Sequence, residues 1–177
     1  MTFPVFASGD VLNASDMNGV GLWLVKSQAV GSGVSSVTVT GAFSADYDNY
    51  LVTYSGGTMS ADTAIKLNLG AAATAYNGSL IYSQYNGAGP LAANDNNNST
   101  FAYAGGGNSA GASLYVVFTN PFLSLFTRVY ASPVSWSNNV GSYSGVLSAT
   151  TSFTAFTVAP LSGTFTGGTI SVYGYRK

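Results

Sequence analysis

Short apolar runs divided by turn residues are the feature that most restricts how this chain can fold. From Trp23 onward the runs alternate apolar and polar residues, most cleanly over residues 65–69, as half-buried β-strands do. Clusters of Gly, Asn, Ser or Pro separate these runs at roughly regular spacing. Many short strands spaced in this way are typical of sandwiches and barrels. The sequence therefore predicts an all-β protein, an antiparallel β-sandwich of jelly-roll type.

One segment near the N-terminus departs from the β pattern. Asn13 suits a helix N-cap, Asp16 follows where a negative charge is favourable, and Gly19 suits a left-handed stop. The predicted helix is too short to be stable alone in water, so it is expected to dock on something. We therefore predict an N-terminal attachment segment over residues 1–19 and a β-sandwich domain over residues 20–177.

Charged side chains are scarce. The 177 residues include 5 Lys+Arg and 6 Asp+Glu, and charged residues make up 6% of the chain, against about 25% in an ordinary soluble domain. With no His and no Cys, zinc sites of Cys and His, Ser-His-Asp and Cys-His triads and disulfides are excluded. Five cations are too few for a nucleic-acid-binding face. We expect no membrane insertion, an uncharged surface and substantial burial between subunits.

The acidic side chains are the first candidates for chemistry. Asp46 and Asp48 are two residues apart, so they could share a strand face and hold a hard cation or act as a carboxylate pair. The alternative, which we favour, is a turn whose Asp side chains bond the local backbone. The remaining Asp, Tyr and Lys residues form no catalytic constellation in the sequence. The sequence therefore predicts no enzyme activity, no metal and no cofactor.

A long Asn-rich stretch is the second candidate. Residues 87–98 are predicted to form a loop, and loops carry binding function more often than strands do. Its side chains are those of adaptable binding loops, although a solvated loop tip would use the same residues. The candidate surface-binding residues are Tyr85, Asn94, Asp95, Asn96, Asn97 and Asn98. Trp23 and Trp136 could stack on sugars, but their apolar surroundings favour packing in the core or between subunits.

The N-terminal run resembles a segment common near the start of tailed-bacteriophage appendage proteins. An aromatic residue, a Gly, a Val-Leu pair, a small polar residue and Ala lead into a short helix that ends in Asn, here Phe6, Gly9, Val11, Leu12, Asn13, Ala14 and Asn18. Residues 43–54 and the closing run 167–175 also resemble small phage β-sandwich domains. The resemblance implies a virion protein, made in the host cytoplasm, that attaches through Phe6, Val11, Leu12 and Met17.

Two functions are compatible with this resemblance. The first is a tail-fibre or receptor-binding appendage whose β-sandwich head contacts a host-surface glycan or protein. The second is a capsid decoration or head-fibre protein that stabilises or ornaments the capsid. For both we expect a homo-oligomer, from the resemblance and the low charge a trimer, in contact with other virion proteins.

Overall fold

The computed structural model describes residues 8–9, 21–87 and 89–176, and this part of the chain is built from β-strands without a helix. Every pairing between its strands is antiparallel, which confirms the antiparallel all-β prediction. The predicted helix after Asn13 lies outside the described residues. The strands are β1 (Leu22–Ala29), β2 (Ser32–Val34), β3 (Val37–Val39), β4 (Asn49–Met59), β5 (Thr63–Leu69), β6 (Tyr76–Gln84), β7 (Leu91–Asn98), β8 (Phe101–Asn108), β9 (Gly111–Thr119), β10 (Thr127–Trp136), β11 (Asn139–Leu147), β12 (Phe156–Pro160) and β13 (Phe165–Tyr175).

Strand β9 connects the two parts of the sheet. One of its edges pairs with β4 over most of its length, from Thr119 back to Ala112. The other edge is shared, because the first half of β9 pairs with β8 and the second half, from Val116 to Thr119, pairs with β10. The backbone hydrogen bonds of one strand are thereby divided between two neighbours that diverge from each other.

Two sets of strands extend from this branch. Beyond β4 lie β13 and then β1 and β2, while beyond β8 lie β5, β12 and β3. The hairpins β6–β7 and β10–β11 pair with each other through β11 and β6, and together they form a four-stranded extension beyond β9. This extension consists of β10, β11, β6 and β7, and it contains Asp95, Trp136 and Tyr143.

The core lies between the two sets of strands and is rich in aromatic rings. Phe118 on β9 and Phe156 on β12 have ring centroids 6.3 Å apart, and Phe43 contacts both. Phe101 on β8 packs edge-on against Tyr76 of β6, at 4.7 Å. All five rings are almost completely buried, so β12, β5 and β8 cover one face of the strands β1, β13, β4 and β9. Burial of rings of this size is the main favourable contribution to folding here.

Buried tyrosine hydroxyls fasten the strands to nearby turns. The Tyr50 hydroxyl accepts a hydrogen bond from the Ser44 N–H (2.8 Å) and donates one to the Ser44 carbonyl (2.9 Å). The Tyr54 hydroxyl donates to the Gly167 carbonyl (2.9 Å). The Tyr76 hydroxyl accepts from the Leu69 N–H (2.8 Å). Each ring therefore fills the core while its polar end satisfies backbone groups that the ladders leave over.

Three consecutive glycines allow β8 to approach its neighbours closely. A Cβ atom on Gly106 would lie 2.2 Å from the Ser135 carbonyl oxygen on β10, and one on Gly107 would lie 2.4 Å from the Ala112 Cα on β9. Contacts this short with backbone cannot be relieved by a rotamer change. The run 105–107 is therefore required where β8 passes from β9 onto β10.

We predict that Gly106→Ala lowers the free energy of unfolding by about 1–3 kcal/mol, because β8 must move away from β10 to admit a methyl group. Chemical denaturation followed by tryptophan fluorescence measures the change. Gly111→Ala is the matched control, since a Cβ there meets nothing within 4 Å. Equal stability of the two variants would contradict the close packing of β8 on β10.

Candidate functional site

The predicted attachment residues Phe6, Val11, Leu12 and Met17 lie outside the described residues. Their role stays a prediction from the sequence.

The Asn-rich stretch is a strand, so the loop prediction over residues 87–98 is wrong for most of that range. Leu91–Asn98 form β7, which pairs with β6 at the edge of the extension. Leu91, Ala93 and Asp95 alternate toward the interior, and the residues between them are exposed. An edge strand has one face and one edge in water, which suits polar side chains that would be unfavourable in a central strand.

Several amides of this stretch bond the protein itself. Asn97 has a left-handed backbone (φ 52°), and its Oδ1 accepts a hydrogen bond from the Ala75 N–H at 3.0 Å. The Asn97 N–H in turn donates to Asn77 Oδ1 at 2.9 Å. These bonds fix a register shift between β6 and β7. All four candidate asparagines, Asn94, Asn96, Asn97 and Asn98, are exposed, and their role in binding stays a prediction.

Asp95 is buried, with 6% of its surface exposed, and is therefore no surface-binding residue. Its Oδ2 accepts hydrogen bonds from the Tyr143 hydroxyl (2.7 Å) and the Ala102 N–H (3.0 Å), and its Oδ1 accepts one from Asn98 Nδ2 (2.8 Å). Ala102 lies in the part of β8 that has already separated from β9. The carboxylate thus takes the place of a strand partner there and joins β7 to β8 and β11.

The Tyr143 ring reaches Asp95 by lying across two glycines. A Cβ on Gly78 would come within 2.2 Å of the Tyr143 hydroxyl. A Cβ on Gly145 would lie 2.9 Å from the same hydroxyl and from the Phe101 ring. Burial, and then the hydrogen bond to Asp95, raise the pKa of Tyr143 far above its usual range. Burial, with a smaller contribution from the Asp95 charge, also raises the pKa of Tyr103. Both phenols are therefore held protonated beside the carboxylate.

We predict that Asp95→Ala lowers the free energy of unfolding by about 2–4 kcal/mol, because it leaves the Ala102 N–H and the Tyr143 hydroxyl buried without an acceptor. Tyr143→Phe removes one donor only and should cost about 1 kcal/mol. Urea unfolding of both variants tests this. Asp46→Ala, at an exposed carboxylate, is the control, and an Asp95→Ala protein as stable as that control would refute the structural role.

Asp46 and Asp48 are part of a turn. The Ser44 Oγ–H donates to Asp46 Oδ2 (2.9 Å), and the Asp46 N–H donates back to Ser44 Oγ at 3.3 Å. The Asp48 carbonyl accepts a hydrogen bond from the Asn120 N–H (2.8 Å). The residues form a turn as expected, but the Asp46 carboxylate bonds the Ser44 hydroxyl and not the backbone. Within the described ranges, no three Asp, Glu, His or Cys side chains are grouped as a metal site would require.

An aromatic cluster occupies the end of the extension. Trp136 at the end of β10 stacks on Tyr103 of β8, with centroids 5.8 Å apart and planes 15° apart, and contacts Tyr82 at 6.3 Å. This is the packing role that the sequence favours for Trp136. Tyr85 is 69% exposed, and its hydroxyl donates to the Ser137 carbonyl at 3.4 Å. Tyr82, Tyr85 and Tyr103 flank the Asn-rich stretch in the sequence, but the stack of Tyr103 on Trp136 is formed only by folding, which brings the two rings together from distant strands.

A groove lies beside this cluster. It is bounded on one side by the β8–β9 hairpin and on the other by the end of β10, and its volume is about 340 Å³. The residues that line it are Gly106, Gly107, Asn108, Gly111, Ala112, Ser113, Ser135, Trp136 and Ser137. Asp62 adjoins it, since its Oδ1 accepts a hydrogen bond from the Ser137 N–H at 2.6 Å.

An apolar row crosses the outward face of five neighbouring strands. Register places Leu24, Tyr173, Leu51, Val117 and Tyr130 side by side on β1, β13, β4, β9 and β10. We call these five residues the outer row. Leu24 is 58% and Tyr130 is 49% exposed, whereas Leu51 at the centre is covered by its neighbours and takes no part in the main core. Sequence reasoning missed this row, because it depends on strand pairings that are distant in the chain.

The described part of the chain thus defines an antiparallel all-β protein. No protein-family model matches the chain, and no curated protein matches it either. It is similar to a chain in the structure of the tripod from the baseplate of bacteriophage Tuc2009, at 10% identity and a TM-score of 0.26, over all of this chain and 75% of that one. In the described residues, no helix has the length and apolar character needed to cross a membrane.

Proposed function

We propose that this protein is a non-enzymatic structural component of a bacteriophage virion. In this proposal it is an appendage of the tail-fibre or receptor-binding type, which attaches by residues 1–19 and presents a β-sandwich head to the host surface. The outer row is the observation that carries the proposal, because it gives the head a surface suited to assembly. The resemblance of residues 6–18 to phage appendage proteins supplies the kind of assembly.

The strand order supports a jelly roll for the head. Counting β1 and β2 as one strand and leaving out the extension, eight strands remain. In chain order they fall into the sets 1-8-3-6 (β1/β2, β13, β4, β9) and 2-7-4-5 (β3, β12, β5, β8). This is the strand order expected for the two four-stranded layers of a double Greek-key jelly roll. The hairpins β6–β7 and β10–β11 are insertions between strands 4 and 5 and strands 6 and 7.

The outer row is suited to contact with a second copy. Single exposed apolar side chains are common on soluble proteins, but contiguous apolar patches mark interaction surfaces. Four strand spacings separate Leu24 from Tyr130, so the row is about 19 Å long. Tyr115 and Leu22 are also exposed on this face. The row itself contains no charged residue, and Arg128, two residues before Tyr130 on the same face of β10, lies beside its end. The oligomer we propose is a homotrimer.

We predict that Leu24→Asp and Tyr130→Asp each convert the trimer to monomers, because a carboxylate buried in an apolar contact costs several kcal/mol. Light scattering coupled to size-exclusion chromatography measures the mass. Leu161→Asp is the control, since Leu161 is equally accessible but lies on the turn between β12 and β13. A wild-type monomer at micromolar concentration, or a trimer in all three variants, would refute this interface.

Location on the particle tests the proposal as a whole. Deletion of residues 1–19 should abolish incorporation into virions while the head remains folded, because the segment precedes the first described strand, β1. Circular dichroism checks the fold, and immunogold labelling of virions checks incorporation. Label at the tail agrees with the appendage, label over the capsid favours the decoration or head-fibre alternative, and a protein absent from particles contradicts both.

A further inference from the structure

We propose that the groove between the β8–β9 hairpin and the end of β10 binds one neutral saccharide unit. The biological source of that saccharide, a host-surface glycan, rests on the proposed function, whereas the binding chemistry rests on the groove alone. The groove belongs to the inserted hairpin β10–β11 on one side and to the sandwich on the other. Binding sites are commonly built on such additions to a rigid scaffold.

The size of the groove limits the ligand. Its volume of about 340 Å³ is at the lower end of the range for small-molecule sites. Gly111 leaves one part of the lining free of a side chain, since a Cβ there meets nothing within 4 Å, so a ring can approach the backbone at that point. A sugar ring matches this space better than an extended peptide, because β8 and β9 are already paired with each other here and offer no strand edge to a peptide.

The polar groups of the groove select hydroxyls over charges. Ser113, Ser135 and Ser137 contribute hydroxyls, and Asn108 contributes an amide. Hydroxyls both donate and accept hydrogen bonds, as the hydroxyls of a sugar do. No Lys or Arg lines the groove, and the nearest identified charge is the Asp62 carboxylate, which is bonded to the Ser137 N–H. A sulfated, phosphorylated or carboxylated sugar would be repelled, so the ligand is neutral.

Trp136 supplies the apolar wall that sugar recognition requires. The Tyr103 ring is stacked against its indole and Tyr82 lies beside it, so its orientation is set before a ligand arrives. A preordered aromatic side chain loses little conformational freedom on binding. Tyr85 adds an exposed ring next to Ser137. The arrangement combines an aromatic wall, an open backbone at Gly111 and hydroxyl donors around one small space.

The chain offers a blocking variant and a matched control. Gly111 lines the groove, and a Cβ there meets nothing within 4 Å. Gly111→Gln therefore places a side chain at the groove without disturbing the fold. Gly89 is equally open but lies on the β6–β7 turn, so Gly89→Gln is the control. Trp136→Ala removes the wall, and thermal denaturation shows whether each variant is folded.

The experiment titrates the full-length protein with glucose, galactose, mannose, rhamnose and N-acetylglucosamine, and with glucuronate as an anionic comparison. The chain has two tryptophans, so a Trp23→Phe background leaves Trp136 as the only tryptophan reporter. Isothermal calorimetry measures sugar binding by the Trp136→Ala variant, because that variant lacks the fluorescent reporter. We expect a saturable fluorescence change with at least one neutral sugar. Binding should weaken about tenfold or more in Gly111→Gln and Trp136→Ala, as when a central contact is lost, and stay unchanged in Gly89→Gln.

Three outcomes would overturn the inference: no neutral sugar binds, glucuronate binds more tightly than every neutral sugar, or Gly111→Gln binds as the wild type does. Each concerns the isolated protein. A protein that binds no sugar but is incorporated into virions therefore refutes the saccharide site and leaves the structural role intact. A protein that binds a sugar through this groove but is absent from particles refutes the structural role and leaves the saccharide site intact.

Discussion

The shared edge of β9 is the constraint on which the rest of the structure depends. A strand has two edges, and β9 must serve three neighbours, so β8 and β10 each receive half of one edge. This division separates the layer headed by β8 from the extension headed by β10, and the core fills the space between that layer and the strands on the β4 side of β9. The arrangement requires glycine at 105–107, because β8 lies so close to β9 and β10 there that a side chain would not fit.

The branch also creates a polar requirement, which Asp95 meets. Where β8 separates from β9, the Ala102 N–H has lost its place in the ladder, and the carboxylate from β7 accepts its hydrogen bond. The same carboxylate holds the Tyr143 hydroxyl, so one side chain ties the edge strand of the extension to the layer above it. Rigidity acquired in this way supports the nearby Trp136 and Tyr103 rings, which border the groove.

The class of the fold was predictable from the sequence, but its branch and its sites were not. Alternation at residues 65–69 and 113–118 marks β5 and β9 because their inward residues are large and apolar. The strand β7 was missed because its inward positions hold only Leu91, Ala93 and Asp95, and Asn residues dominate the rest. Pro133 lies within β10, although proline usually marks a strand end or an edge, because the pairing with β11 shifts register there. The pairing of Trp136 with Tyr103, and the outer row, depend on contacts between distant strands, which periodicity does not encode.

The absence of charge from the outer row has a consequence for the conditions under which assembly is favoured. A contact made by Leu24, Tyr173 and Tyr130 gains its free energy from removing apolar surface from water. Such a contact is little affected by screening at high ionic strength, which weakens ion pairs. It weakens on cooling instead, because burial of apolar surface is driven by entropy near room temperature. Subunits joined in this way would tolerate fresh and saline water alike and would be most readily separated in the cold.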